Sequence, residues 1–216
     1  FNYFFSRRFH TTCSGSCDYI QGRPFSFVQA LDGVGAWPPI SESHVEMDGA
    51  WALYEAWMRL QHGDLETALV YAFGRSTSGD PSAIAAQGLD PYTVAPLNPP
   101  ADAIAGLQAR AAGGLPVVAL PPADGSAAVV LSTLGGGPRI DAIGHLAQVQ
   151  ELGARDLANP ALPDTPTDVD RAELHLRYRH EAVVLQAALG LGDEVVVGSE
   201  DEATTMVDGM RSFVRA

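Results

Sequence analysis

Apolar and polar positions along the chain fall into helical and strand periods, and the switches between them mark out its elements. From Gly49 to Gln61, GAWALYEAWMRLQ, the residues Trp51, Leu53, Tyr54, Trp57, Met58 and Leu60 recur at helical spacing but exceed a narrow stripe. That density predicts a core helix buried over most of its circumference. Asp48 and Gly49 stand at its N-terminus, where a carboxylate accepts from free backbone amides and meets the positive end of the helix dipole. Gly63 ends the helix, and Ala68 to Phe73 form a continuous apolar run of the kind found in sheets covered on both faces. Ahead of the helix, Ser41 to Asp48 is a polar lead-in carrying His44, Glu46 and Asp48.

Elsewhere the pattern is more broken. Residues 1 to 12 are aromatic and basic without a period, which suits an edge strand or a terminal arm. Residues 13 to 35 read as a Gly/Ser-rich loop and a helix from Pro24 to Leu31, with Phe25, Phe27, Val28 and Leu31 inward and Gly33 and Gly35 as breakers. The segment from Ser76 to Pro122 is proline-rich and brackets an Ala-rich helix from Ala101 to Ala112, so it reads as loop and cover. Strands are predicted over Asp124 to Leu134, Pro138 to Gln148, Ala172 to His175 and Glu194 to Val197. Helices are predicted over His180 to Leu191 and from Asp201 onward. Strands alternating with helices predict an α/β layered fold.

Composition narrows the function. The net charge is −13, with 13 Arg and no Lys, and phosphate neutralisation needs clustered cations, so nucleic acid is excluded as a partner. No apolar run is long enough to span a bilayer and no leader pattern is present, which predicts a soluble, cytoplasmic protein without a membrane span. Arg177 and Arg179 come nearest to an anion-binding cluster. The two cysteines, Cys13 and Cys17, lack two further ligands at zinc spacing, so no metal is expected and both are read as free thiols.

A resemblance supplies the sharper expectation. CSGSCDYIQGRPFSFVQALDGVGAWPPISESHVEMDGAWALYEAWMRL, followed by LDPYTVAPL, DGSAAVVL, LGARDL and AELHLRYRHEAVVLQAALGLGDEVVV, resembles the thiolase superfamily, in particular lipid-transfer or sterol-carrier-type thiolase-like proteins. The resemblance implies a thiolase-like layered α/β/α/β/α fold of two related halves, shortened here. The first half would be residues 1–122 and the second, incomplete half residues 123–216. It also implies homo- or hetero-oligomers with a thiolase-like homologue, and in some members a small partner combining an OB fold and a zinc ribbon that binds acyl-CoA. No resident cofactor is implied; coenzyme A thioesters of acyl chains or steroid side chains would be substrates.

The site motifs depart from that pattern. Three residues before the helix-opening glycine, where a thiolase has its nucleophilic Cys, this chain has Glu46, and thioester exchange relies on a thiolate at a helix N-terminus. Aldolase-like relatives also lack the Cys and use a base to start retro-aldol cleavage. The second motif reads His175, Leu176, Arg177, Tyr178; the resemblance gives His175 an oxyanion-stabilising or acid/base role, for which imidazole is suited. Tyr178 reads as packing, and Trp51, Tyr54 and Trp57 as core or dimer-interface residues. The closing loops of the family's site, its opening strand and much of its loop domain find no counterpart. His175 and Glu46 are thus the candidate catalytic residues. Two functions follow: a thiolase-like subunit of a coenzyme A thioester-processing complex in lipid metabolism, kept for structure and partnership and lacking thiolysis, which the absent loops favour; or a Cys-independent lyase or acyltransferase.

Overall fold

The computed structural model describes residues 11–16, 28–34, 41–46, 49–75, 80, 83, 86–121, 123–144, 169–192 and 196–199. The chain divides into two compact units.

The first unit is built on a four-stranded mixed sheet in the order β2-β1-β3-β4. Its strands are β1 (Thr11–Ser16), β2 (Ser41–Glu46), β3 (Thr67–Arg75) and β4 (Asp124–Ser132). β1 pairs in parallel with both β2 and β3, and β4 runs antiparallel to β3. Helix α2 (Gly49–Gln61) is the crossover from β2 to β3, since two strands that both run parallel to β1 need such a connection. The helix–strand order and the bounds of α2 are those predicted, and the polar lead-in Ser41–Glu46 forms strand β2. The structure overturns the reading of Cys13 to Ser16 as loop. These residues form the central strand, and all six residues of β1 are buried. Ser and Gly are weak strand formers in isolation, but a strand paired on both edges and covered on both faces rewards small side chains.

The two faces of this sheet follow from the register. Cys13, Ser43 and Val70 stand in one row, while Ser14, His44 and Tyr71 stand in the next and project to the other face. Helix α2 covers the Cys13 face, where Ser43 Oγ donates to Glu55 Oε1 and the Arg59 guanidinium acts electrostatically on the Cys13 thiol. Helix α1 (Val28–Val34) covers the Tyr71 face, its Ala30 and Val34 packing, as Phe73 does, against Leu69 and Tyr71. The prediction placed this helix at Pro24 to Leu31 with Val28 inward; Val28 is instead 51% exposed and Gly33 lies inside the helix. Phe25 and Phe27 lie outside the described residues.

Helix α2 is also less uniformly buried than predicted. Its buried stripe is Gly49, Ala52, Leu53, Ala56 and Leu60, an i, i+3/i+4 series with Ala52 and Ala56 fully enclosed. Trp51, Tyr54, Trp57 and Met58 are half-buried, and the three aromatics follow one another along the helix: Trp51 meets Tyr54 edge-on at 6.3 Å, and Tyr54 stacks with Trp57 at 6.4 Å. Small residues on the inner face let the helix sit close to the sheet. The helix stops in a Schellman turn, Gly63 N–H donating to Leu60 O and Asp64 N–H to Arg59 O, with Gly63 at φ +78°. Gly63→Ala should therefore cost about 1 kcal/mol, because a Cβ is disfavoured in that left-handed conformation even where space is open. A chemical denaturation midpoint shifted down with unchanged slope would register it.

The second unit contains helix α3 (Ala101–Ala111), strand β5 (Arg171–Leu174), helix α4 (His180–Leu189) and strand β6 (Val196–Ser199). β5 and β6 pair in parallel with α4 as the connection, a second strand–helix–strand unit. Its core gathers Leu120, Leu174 and Leu176 against Ala182, Leu185 and Leu189 of α4. The segment between Ser76 and Pro122 contributes α3, a 3-10 turn at Ala95–Leu97 and one bridge from Ala119 to Tyr178, in keeping with its reading as loop and cover. Residues 138–144, predicted to start a strand, carry none; Gly135 and Gly136, both at positive φ, turn the chain after β4 and no partner strand follows among the described residues. The helix predicted from Asp201 lies outside the described residues. No helix among the described residues is long and apolar enough to cross a membrane.

Candidate functional site

The β1 register sets Ser14 opposite His44 on one neighbour and opposite Tyr71 on the other. Residues in register on parallel strands share a face, so the three side chains form a row across the sheet. Ser14 Oγ lies 2.9 Å from His44 Nδ1. His44 Nε2 lies 3.3 Å from Glu46 Oε2, two residues further along β2 and on the same face. At the other end stands Tyr71; burial raises its pKa, Ser14 opposes that rise, and the charges of Glu42 and Cys13 add to it. Exposure is graded along the row: Ser14 and Tyr71 are 3% and 5% exposed, while the His44 and Glu46 side chains reach 18% and 42%. The open end is therefore the Glu46 carboxylate, at the last residue of β2 and three residues ahead of Gly49.

This arrangement suits proton transfer. A half-exposed carboxylate backed by an imidazole and a buried hydroxyl can accept a proton at its outer end while its orientation is held from behind. Ser14 itself is too enclosed to meet a substrate. Met47 and Asp48 lie outside the described residues, so the predicted capping role of Asp48 does too.

The thiol on the opposite face has the wrong chemistry for a nucleophile. Cys13 is fully buried, and its pKa is pushed up to about 11, first by burial and then by the Glu55 carboxylate, with Arg59 only partly offsetting both. Thioester exchange needs a thiolate, and here the thiol stays neutral. Ionisation follows in the unfolded chain near the ordinary value of 9.0 but is delayed in the folded one. Between those two pH values the unfolded state binds fewer protons, so stability falls as pH rises. The decline should reach about 3 kcal/mol, and Cys13→Ala should flatten it in unfolding curves recorded across that window. Tyr71, also raised, adds to the decline at its upper end. Cys17 lies outside the described residues.

The other predicted catalytic residue, His175, belongs to the second unit. It follows β5 and is exposed, between buried Leu174 and Leu176. Nearby, Tyr178 donates to Asp102 Oδ1 at 3.1 Å and lies 5.7 Å from the His180 ring, so it packs as predicted and also carries a polar contact. Burial, then Asp102, raises the Tyr178 pKa. His180, read from sequence as solvated or packed, is 3% exposed with Nε2 3.2 Å from Gln108 Oε1. Arg177 and Arg179 flank Tyr178, and the Glu181 carboxylate accepts from the Arg177 and Tyr178 backbone amides at 2.7 and 3.1 Å. The amides that might have drawn an anion there are already satisfied.

Of the polar residues singled out in the sequence, His44 and Glu46 are brought together. Ser14 and Tyr71 were missed, because a row across parallel strands depends on register, and only Thr11 and Thr12, β-branched and next to the small run, hint at a strand. Among the described residues no group of three or more His, Cys, Asp or Glu side chains is placed to hold a metal ion. No protein-family model matches the chain, and no curated protein matches it.

Proposed function

We propose that this chain is a thiolase-like protein that acts on coenzyme A thioesters by acid–base chemistry at Glu46, without a cysteine nucleophile. The observation that carries the reading is the Glu46 carboxylate at the β2–α2 junction, backed by His44 and Ser14, together with a Cys13 thiol buried on the other face. The mixed sheet between α1 and α2 is compatible with one half of a thiolase-like layering. The reaction this supports is retro-aldol cleavage of a β-hydroxyacyl thioester. Glu46 takes the hydroxyl proton as the bond between the α and β carbons breaks. The hydroxyl carbon becomes a carbonyl, the bonding electron pair goes to the α carbon as a thioester enolate, and the same proton returns from Glu46 to that carbon. No oxidant or reductant is consumed.

The experiment is product analysis after incubating the full chain, with any co-purifying partner, with a β-hydroxyacyl-CoA. A ketone or aldehyde and a shortened thioester are expected; free coenzyme A from simple thioester exchange would overturn the reading. A second reading, a non-catalytic subunit retained for assembly, is favoured by the half-buried aromatic file Trp51, Tyr54 and Trp57 on α2. Aromatics of this kind are enriched at interfaces. Native mass measurement of the co-purified assembly separates the two: a complex in which Glu46→Gln changes no turnover belongs to the second.

A further inference from the structure

The sheet of the first unit ends on β4, whose outer edge carries no further strand among the described residues. Thr133 N–H donates to Glu66 O at 3.0 Å, one step beyond the Thr67–Ser132 pair. Such bonding alternates in an antiparallel pair, so the odd-numbered residues of β4 exchange bonds with β3 and the even-numbered ones turn their N–H and C=O away from it. Ser126, Ala128 and Val130 therefore present backbone donors and acceptors along the outer side. Their side chains are exposed as well, Val130 by 50%. Natural sheet edges are guarded by charge, proline, a bulge or a cover. Over DGSAAVVLS the only such guard is Asp124, at one end.

The geometry points to a second copy of this chain as the occupant: β4 pairs antiparallel with β4 of the copy across a two-fold axis at Ala128, joining the two four-stranded sheets into one. The strand suits itself in that register. Ala128 faces Ala128 of the copy, Ser126 faces Val130 and Asp124 faces Ser132, so no cross-strand pair is bulky or charged on both sides. The two Asp124 carboxylates then stand about 27 Å apart along the strands, well beyond the screening length in physiological salt. That separation matters in a chain of net charge −13. A parallel pairing would set them side by side. The other edge strand, β2, carries Glu42 and Glu46, and self-pairing there would gather the carboxylates of both copies. A two-fold contact through one strand is closed, so the assembly stops at a dimer.

The test is the mass of the full chain in solution, by native mass spectrometry and sedimentation, and it does not depend on the reaction proposed above. A dimer is expected at micromolar concentration; a monomeric wild type would overturn the inference without any variant. Ala128→Pro removes only an outward N–H, which an edge position tolerates. The fold should survive while both bonds of the Ala128 pair are lost, raising the dissociation constant about tenfold or more. Ala128→Glu and Ala128→Lys each set like charges face to face and should be monomeric alone, whereas an equimolar mixture of the two should recover a one-to-one heterodimer. Far-UV circular dichroism matching the wild type shows that each variant is folded. A dimer indifferent to all three variants, or a mixture that stays monomeric, would overturn the pairing at Ala128. So would a different protein chain co-purifying in place of the copy and released by Ala128→Pro, which would make β4 a docking strand for an extended segment of that protein.

Discussion

Ala56→Leu should destabilise the first unit by about 1–3 kcal/mol, the usual cost of forcing extra carbon atoms into a packed core. Ala56 is fully enclosed on the inner face of α2, with Ala52 one turn before it and equally enclosed, above the sheet face that carries Cys13 and Val70. Those two are among the largest fully buried side chains. A leucine at 56 has nowhere to extend without lifting α2 from the sheet or shifting β1, which is paired on both edges. The loss is a large part of the 5–15 kcal/mol typical of a whole domain. Met58→Leu on the half-buried side of the same helix should cost less than about 1 kcal/mol, as volume-conserving swaps do. Thermal unfolding of the two variants checks the pair; equal losses would mean that α2 does not pack through its alanine stripe.

Glu46→Gln should leave the fold intact and remove the chemistry. The amide keeps an oxygen that can accept from His44 Nε2–H, and the side chain is 42% exposed, so stability should change by no more than about 0.5 kcal/mol. What disappears is the capacity to take a proton. General acid–base groups contribute on the order of 10²–10⁴-fold to rate, and kcat for β-hydroxyacyl thioester cleavage should fall by that factor while KM is retained. A rise in KM at constant kcat would instead assign Glu46 to substrate binding.

The helix Gly49–Gln61 and the apolar strand after it were legible because their patterns are strong and their ends carry local signals, above all the Gly63 stop. The central strand was not. Thr11 to Ser16 has no period of apolar residues, since a strand enclosed on both faces by close-packed helices is made of small side chains, and small side chains also make loops. That one misreading hid Ser14, and with it the partner that makes His44 more than a polar residue ahead of a helix. Glu46 was legible as a position, from its spacing to Gly49, but its connection to His44 and Ser14 exists only through the β1–β2 register. The aromatic residues of α2 misled in the other direction: large apolar side chains suggested the buried face, whereas Ala52 and Ala56 occupy it. Residues 138–144 carry apolar positions without strand partners, which no local pattern reveals.

The most direct test compares cleavage of one β-hydroxyacyl-CoA in heavy water by the wild-type full chain, by Cys13→Ala and by Glu46→Gln, with mass analysis of both the shortened thioester and the protein. Cleavage at an undiminished rate by Cys13→Ala, its loss in Glu46→Gln, deuterium at the α carbon of the product and no acyl group on the protein are the predicted results. An acyl adduct on Cys13, loss of cleavage in Cys13→Ala, or no cleavage by the wild type would contradict the account.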